Sequence, residues 1–275
     1  MRSWTAWVVA AVVVGIGLSG SPVRPQSAGV QRLYIFDCGE GHAADQSRWS
    51  PGVNVGKPLD VSGNCYLIHH ARGYLLWDTG VPDEVAAMPN GFSGSPGSPV
   101  WHRSRTLAAQ LAGVGLGPAN IDYVAISHTH PDHVGNVELF PQSTLLIQKA
   151  EYDWSFQSGK SRIAASHPVQ KLKGDHDVFG DGTVMILSTP GHTPGHQSLL
   201  VHLPKTGWVI LSGDAVHFKD NWDNRRVPAN NFDKDQTLAS MQRLADLMKQ
   251  HNAQLWINHD KIQSDQQRHA PEYYE

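Results

Sequence analysis

Cysteine is scarce in this chain of 275 residues, and lysine and arginine never form a long run. Two cysteines cannot build the disulfide framework of a small secreted domain, whereas 275 residues can bury a substantial hydrophobic core. The formal net charge of −3 is small, and a nucleic-acid partner is disfavoured because phosphate neutralisation needs a basic face. Internal repeats and low-complexity blocks are also absent, so the sequence indicates a globular fold.

The main apolar stretch, from Trp4 to Leu18, is shorter than the roughly 20 residues of a membrane-spanning helix. It follows Arg2 and precedes small residues and a Pro/Ser-rich spacer that reaches Ala28. This order is typical of a secretory signal peptide, with an uncleaved N-terminal anchor as the alternative. We therefore predict a signal peptide and spacer over residues 1–28, a folded domain over 29–275, and a secreted or periplasmic location.

Cys38 and Cys65 lie on predicted neighbouring strands. An oxidising compartment permits a disulfide between them. Two buried free thiols are at least as compatible with the sequence, so both alternatives stay open at this point.

Strand and helix patterns are interspersed along the chain. Period-2 patterns and short apolar runs predict strands at 32–38, 64–70, 74–78, 121–127, 144–148, 184–188, 198–203, 208–212 and 255–258. Helical patterns predict helices at 106–114, 150–156 and 235–251, a short helix within 131–139, and a helical tail up to residue 275. The Gly/Pro/Ser-rich segment 39–63 is predicted to be a long loop. This arrangement is typical of a layered α/β domain.

Histidine is abundant, with sixteen residues, and it is the commonest ligand of protein-bound zinc. Seven histidine and aspartate side chains follow the ends of four predicted strands, where loops converge on one cleft: His128, His130, Asp132, His133, His192, Asp214 and His259. Seven nitrogen and oxygen ligands exceed the four of a closed tetrahedral zinc site. The pattern therefore indicates two metal ions, with Asp214 able to bridge them.

The run His128-Thr129-His130-Pro131-Asp132-His133, followed by separate His, Asp and His residues, resembles the HxHxDH signature of the metallo-β-lactamase superfamily. The resemblance covers essentially residues 30–275. It implies an α/β fold, the four-layer αβ/βα sandwich, with a site for two zinc ions at one edge, although another divalent ion is the alternative native metal. The early motif Trp77-Asp78-Thr79-Gly80 also fits, and Asp78 is expected to orient a ligand rather than to be one.

The same resemblance implies a division of the ligands between the two ions. One zinc is expected on His128, His130 and His192. The other is expected on Asp132, His133 and His259, with Asp214 bridging the pair.

Within the superfamily, the chain looks most similar to the N-acyl homoserine lactonases. The similarity rests on TPGHTPGHQSLLV at 189–201, the pair His259-Asp260, and the ending APEYYE. It implies a quorum-quenching hydrolase in which a hydroxide shared by the two zinc ions attacks the lactone carbonyl carbon. Asp132 is expected to pass a proton to the leaving oxygen. His217 stands where these lactonases often carry tyrosine, and we expect it to be a catalytic hydrogen-bond donor.

Other functions of the same ligand set stay open from the sequence. A glyoxalase II-like thioesterase and a phosphotriesterase are the enzymatic alternatives, and a zinc-binding protein without turnover is the non-enzymatic one. The expected partner is a small lactone or ester, with no nucleic acid and no membrane span after signal cleavage; a homodimer is compatible with the sequence. Five aromatic residues are candidates for an apolar wall beside the metals: Trp49, Trp154, Phe156, Phe218 and Trp222.

Overall fold

The computed structural model describes residues 29–157, 159 and 161–275, together with Met1 and Trp4. The predicted signal peptide and spacer otherwise lie outside the described residues. Across the described part of the chain there are twelve strands: β1 (Val30–Ala43), β2 (Leu59–His70), β3 (Gly73–Trp77), β4 (Val100–His102), β5 (Tyr123–Ala125), β6 (Thr144–Gln148), β7 (Val169–Leu172), β8 (His176–Asp177), β9 (Val184–Ser188), β10 (Gln197–Leu203), β11 (Gly207–Leu211) and β12 (Gln254–Trp256). The α-helices are α1 (Leu107–Gly113), α2 (Pro131–Val134), α3 (Lys149–Ser155), α4 (Lys219–Asn224), α5 (Lys234–His251) and α6 (Lys261–Ser264). None of the helices described is long and apolar enough to cross a bilayer.

The strands form two sheets that pack face to face. The first has the order β4-β1-β2-β3-β5-β6-β7, and the second has the order β12-β11-β10-β9-β8. Strands β3, β5, β6 and β7 are parallel neighbours, which require crossover connections that carry helices. Buried apolar side chains of both sheets, including Ile35 and Trp77 of the first and Ile186 and Val209 of the second, form the central core.

Helices cover the outer face of each sheet. Leu107 and Leu111 of α1 pack on the first sheet, and Met241 and Leu244 of α5 pack on the second. Helix α5 begins where the Asp233 side chain accepts a hydrogen bond from a backbone N–H of its first turn, as helix N-caps do. The order helix, sheet, sheet, helix is the αβ/βα sandwich, so the predicted fold class is confirmed.

The long loop predicted over 39–63 is wrong at both ends. Strand β1 continues to Ala43, and β2 begins at Leu59. A Cβ atom at Gly41 would lie 2.8 Å from Val61 Cγ2 and 3.0 Å from the Trp101 ring. Glycine here makes room for a tertiary contact, and its usual association with loops misled the prediction.

The prediction of a helical tail is also wrong, since within the tail only α6 (Lys261–Ser264) is an α-helix. Strand β4 pairs only with Glu40–His42 of β1, which leaves the first half of β1 with unpaired backbone groups. The tail pairs with this half: Leu33 and Tyr274 exchange backbone hydrogen bonds of 2.8 and 2.9 Å. An exposed strand edge thus determines the conformation of the tail. The stretch between α3 and β9, where the sequence predicts no strand, also contains the short strands β7 and β8.

Cys38 and Cys65 form a disulfide that joins β1 to β2, with their Cα atoms 5.7 Å apart. Both residues are fully buried. Of the two alternatives left open by the sequence, the structure therefore has the bridge.

Candidate metal centre

The seven predicted ligands lie together at one end of the two sheets. His128 follows the end of β5, His192 follows β9, Asp214 follows β11 and His259 follows β12, each within a few residues. They form two groups, each with its ligand atoms within 4.8 Å of one another: His128, His130, His192 and Asp214 in the first, and Asp132, His133 and His259 in the second. We call these the first and the second ligand group. The six residues other than Asp214 fall into the two sets that the resemblance implied, and Asp214, expected to be shared, is grouped here with the first set.

The Asp214 carboxylate lies between the histidines of the first ligand group and those of the second. Its Oδ2 is 3.3 Å from His192 Nε2 and 3.7 Å from His128 Nε2. Its Oδ1 is 3.1 Å from His259 Nε2 and 3.3 Å from His133 Nε2. Each oxygen therefore faces one ligand group, as a bridging carboxylate must.

The donor set fits two divalent cations. Asp214 Oδ1 is buried and accepts no hydrogen bond, and the imidazole nitrogens of each group face one another at 2.8 to 3.3 Å. Buried imidazole nitrogens and a carboxylate that face one another this closely repel through their lone pairs, and a cation bound between them offsets that repulsion. The fold and this cluster together suit a dinuclear metal site.

At the candidate metal centre, burial and the neighbouring charges shift the pKa values of the ligand side chains in opposite directions. Burial lowers the pKa of His128 and of His192 well below the usual imidazole value. Burial also disfavours the charge on His133, but the carboxylates of Asp214 and Asp78 outweigh it and raise the pKa of His133. The Asp214 carboxyl has a pKa well below its usual range, because the surrounding imidazoles overcome its burial.

Asp78 contacts one ligand histidine directly and a second one through the Ser127 hydroxyl. Its Oδ2 lies 2.9 Å from His133 Nδ1 and accepts a hydrogen bond of 3.0 Å from the Ser127 hydroxyl, which is itself 3.0 Å from His128 Nδ1. One carboxylate thus orients a histidine of each ligand group through Nδ1, the ring nitrogen opposite the Nε2 atom that faces Asp214. Asp78 has a left-handed backbone φ of 58°, which aspartate tolerates better than most residues.

Glu151, on α3, was not anticipated from the sequence. Its carboxylate is fully buried and accepts hydrogen bonds of 2.8 Å from both Thr129 N and Thr129 Oγ1 and of 3.1 Å from Gly195 N. It joins the loop of His128 and His130 to the loop of His192. A Cβ atom at Gly195 would lie 2.2 Å from Glu151 N, so only glycine permits this approach. A single acidic residue in a helix carries no local signal for such a role.

Replacing Glu151 with glutamine is expected to lower the free energy of unfolding. The amide keeps one acceptor oxygen but leaves a buried N–H without a partner, which costs about 1–3 kcal/mol. Chemical denaturation of the metal-loaded protein measures the loss. The control is Glu138→Gln, whose side chain is 61% exposed and should change stability by less than about 0.5 kcal/mol. Equal stabilities of the two variants would contradict the role of Glu151.

Two adjoining cavities open beside the centre. The first, of about 220 Å³, lies directly over the ligands, and its apolar wall includes Trp49, Phe92 and Trp101. The second, of about 480 Å³, includes Trp154 and shares His130 and Pro131 with the first. Together they could accommodate a ligand with a polar head and an apolar chain.

The aromatic candidates divide accordingly. Trp49 and Trp154 line the cavities, whereas Phe218 packs edge-on behind Trp49 with ring centroids 5.4 Å apart. Phe156 is exposed, and Trp222 packs in the cluster beneath α5, so neither lines a cavity. Sequence reasoning missed Phe92 and Trp101, which flank a Ser/Gly/Pro-rich stretch that carries no signal for a wall.

His217 lies in the first cavity. It is buried, and its Nε2 is 3.1 Å from Asp214 Oδ2. Its ring stacks against that of His259, with centroids 5.6 Å apart and planes at 21°. The side chain therefore reaches the space where a substrate would meet the metal ions.

Known proteins resemble this chain in both sequence and structure. Residues 58–248 match the sequence model of the metallo-beta-lactamase superfamily. The chain is 35% identical to the N-acyl homoserine lactonase AttM of Azorhizobium caulinodans, over 80% of this chain and 90% of that protein. It is 32% identical to an N-acyl homoserine lactonase of a Bacillus species, over 89% of this chain and 99% of that protein.

The solved structures agree with the sequence comparison. An N-acyl homoserine lactone hydrolase with N-hexanoyl-L-homoserine bound at its catalytic metal centre superposes with a TM-score of 0.79. It is 30% identical, over 89% of this chain and 99% of that one. By its matched segment, its relatives and its four-layer fold, the chain belongs to the metallo-β-lactamase superfamily.

Proposed function

We propose that the protein is a dinuclear zinc hydrolase that opens the lactone ring of N-acyl homoserine lactones and thereby quenches quorum sensing. The observation that carries the proposal is the Asp214 carboxylate between two ligand groups, at the floor of a cavity with an apolar wall. The names of the relatives support this choice of substrate. An N-acyl homoserine lactone has the polar ring and apolar chain that such a site would take.

Zinc is the metal that we propose for both positions. All seven donors are imidazole nitrogens or carboxylate oxygens, which suit zinc, and no thiolate is among them. When bound, two zinc ions would lower the pKa of water enough to supply a nucleophile at neutral pH and would polarise an ester carbonyl. The remaining chemistry falls to the side chains around them.

Asp132 is the residue that we propose for proton transfer. Its side chain lies in the cavity wall and is 18% exposed, with Oδ2 3.7 Å from His259 Nε2. Opening the lactone ring leaves an alkoxide oxygen that needs a proton. A carboxylate beside the reacting atoms can accept a proton in the attack step and deliver it to that oxygen.

His217 is proposed as a hydrogen-bond donor to the substrate. It faces the cavity, and its buried ring stacks on that of His259; once a metal ion engages Asp214 Oδ2, the Nε2–H that lies 3.1 Å from this oxygen would be free to donate to the substrate. A donor fixed in this way needs no reorganisation when the carbonyl oxygen gains charge. It would take the place of the tyrosine expected in lactonases of this type.

Replacing His217 with phenylalanine is expected to lower kcat/KM for lactones by about 2- to 10-fold, the worth of one hydrogen bond. His217→Gln keeps a donor near the Nε2 position and should recover most of the loss. Steady-state kinetics on a single lactone measure both variants. A phenylalanine variant as active as the wild type would remove His217 from the mechanism.

The function itself is tested by zinc analysis combined with hydrolysis of homoserine lactones of short, medium and long acyl chains. We expect two zinc ions per chain and fast ring opening. Asp214→Asn should lose both the bound zinc and the ring-opening activity. Asp60→Asn changes a side chain that is 62% exposed and should keep the zinc and the activity. Rapid cleavage of a thioester or a phosphotriester with inert lactones would reassign the protein to another hydrolase of the same fold.

We also propose that the protein works outside the cytoplasm. Two features support this location: the apolar N-terminal stretch in the sequence and the Cys38–Cys65 disulfide, since such bridges persist in oxidising compartments. Fractionation of cells that express the full chain, compared with a chain that starts at residue 29, tests it. Equal cytoplasmic retention of both would contradict the proposal.

A further inference from the structure

The backbone of Asp214 is held by a histidine outside both ligand groups. Gly213 has a left-handed φ of 52°, so the chain turns sharply after β11. The N–H of Asp214 then donates a hydrogen bond of 2.8 Å to His196 Nε2. A Cβ atom at Gly213 would lie 2.7 Å from that same nitrogen, so this close approach requires glycine.

This contact fixes the tautomer of His196. A backbone N–H can only donate, so Nε2 must carry the lone pair and Nδ1 must carry the proton. His196 Nδ1 lies 2.9 Å from Thr189 Oγ1 and 3.0 Å from the carbonyl oxygen of Thr189, and both oxygens can accept that proton. The ring thus receives one hydrogen bond and gives another in a single defined orientation.

The ring is also fixed by the strands around it. Thr189 Oγ1 lies 2.9 Å from Ser198 Oγ, which donates a hydrogen bond of 2.8 Å to the carbonyl of Ser212. These residues stand at the ends of β9, β10 and β11. His196 is fully buried, with its ring centroid 5.4 Å from that of His128. It therefore connects the rigid sheet to the turn that carries Asp214.

We propose that His196 is a positioning residue that directs the Asp214 carboxylate, so that one oxygen faces each ligand group. The two oxygens reach His192 and His259 at 3.3 and 3.1 Å, and rotation of the Asp214 backbone would move them in opposite senses. Holding the N–H prevents that rotation. The inference rests on the dinuclear centre of the proposed function but assigns a role to a residue that binds neither ion.

Two substitutions of His196 distinguish the role of Nε2 from that of Nδ1. In His196→Gln the side-chain oxygen reaches approximately the Nε2 position and can still accept from the Asp214 N–H. In His196→Asn the amide reaches only the Nδ1 position, so the bond to Thr189 is kept and the bond to Asp214 is lost. Both variants remove the aromatic ring, so the loss of ring packing is common to them.

The experiment measures zinc content and zinc affinity in the full-length wild type and both variants, by elemental analysis and competition with a chelator. We expect the wild type and His196→Gln to hold two zinc ions. His196→Asn should bind zinc about 10- to 100-fold more weakly, as expected for loss of a residue that orients a ligand. Equal loss in both variants, greater loss in His196→Gln, or unchanged affinity in both would overturn the proposal.

A measurement on the wild type covers the case in which a variant does not fold. The ¹⁵N chemical shifts and long-range couplings of the His196 ring in the zinc-loaded protein report its tautomer. We expect a proton on Nδ1 and none on Nε2, and the opposite result would overturn the proposal. Both experiments omit substrate, so a protein that binds zinc but opens no lactone would refute the proposed function and leave this inference standing.

Discussion

Replacing Asp132 with alanine is expected to lower kcat for lactone opening by about 10²- to 10⁴-fold, the usual contribution of general acid–base catalysis. The reason is that no other carboxylate besides Asp214 lies in the described wall of the first cavity, and Asp214 is committed to the two ligand groups. His133 and His259 of the second ligand group remain, and Asp214 Oδ1 lies 3.3 and 3.1 Å from their Nε2 atoms. We therefore expect zinc to remain bound at saturating concentration while turnover fails.

Two further variants separate proton transfer from metal binding. Asp132→Asn keeps the size of the side chain and an oxygen donor but cannot accept a proton, so its kcat should fall as far as that of the alanine variant. Asp60→Asn is the exposed control and should retain full activity. Zinc content and kcat are measured on the same samples. Near-native kcat in Asp132→Ala would exclude Asp132 as the proton carrier.

Removing the disulfide with the double substitution Cys38→Ser and Cys65→Ser is expected to lower the free energy of unfolding by about 3–4 kcal/mol. The two cysteines are 27 residues apart, and a bridge over a loop of this length restricts the unfolded chain. Thermal unfolding should shift down by roughly 10 °C. A reducing agent present during unfolding and refolding should lower the unfolding temperature of the wild type but leave that of the double variant unchanged. Equal unfolding temperatures of the oxidised wild type and the double variant would contradict this prediction.

The bridge also lies near the centre without touching it. The carbonyl of Cys38 accepts a hydrogen bond of 3.1 Å from Val81 N, and the neighbouring Gly80 carbonyl accepts one of 2.9 Å from Gly135 N, just beyond α2. Helix α2 carries Asp132 and His133. These contacts make the disulfide part of the support beneath the second ligand group.

The ligand set was predictable from sequence because its chemistry is local. His128 to His133 occupy six consecutive positions, and His192, Asp214 and His259 each follow a strand that ends within a few residues. Strand ends of a sheet converge, so the positions along the chain already indicate a common cleft. The alternation of strands and helices predicted a layered α/β domain, and the resemblance to the superfamily implied the four-layer sandwich.

The supporting residues were not predictable because their roles come from contacts distant in sequence. Glu151 acts on Gly195, 44 residues away, and His196 acts on Asp214, 18 residues away. Gly41 lies in a segment that the sequence predicts to be a loop, because its contact with the Trp101 ring leaves no mark in its immediate neighbours. The sequence also predicts a helical tail, because the pairing of Tyr274 with Leu33 depends on an open edge of β1 that only the assembled sheet reveals.

Each ligand group draws donors from both sheets. His128 and His130 follow β5 of the first sheet and meet His192, which follows β9 of the second; Asp132 and His133 likewise meet His259, which follows β12. A change of packing that shifts one sheet against the other therefore alters both coordination spheres at once. In evolutionary terms, the two halves of the gene cannot drift independently. An engineer who changes the apolar wall of the first cavity for a new substrate can therefore substitute residues more freely in the loops than in the core of either sheet.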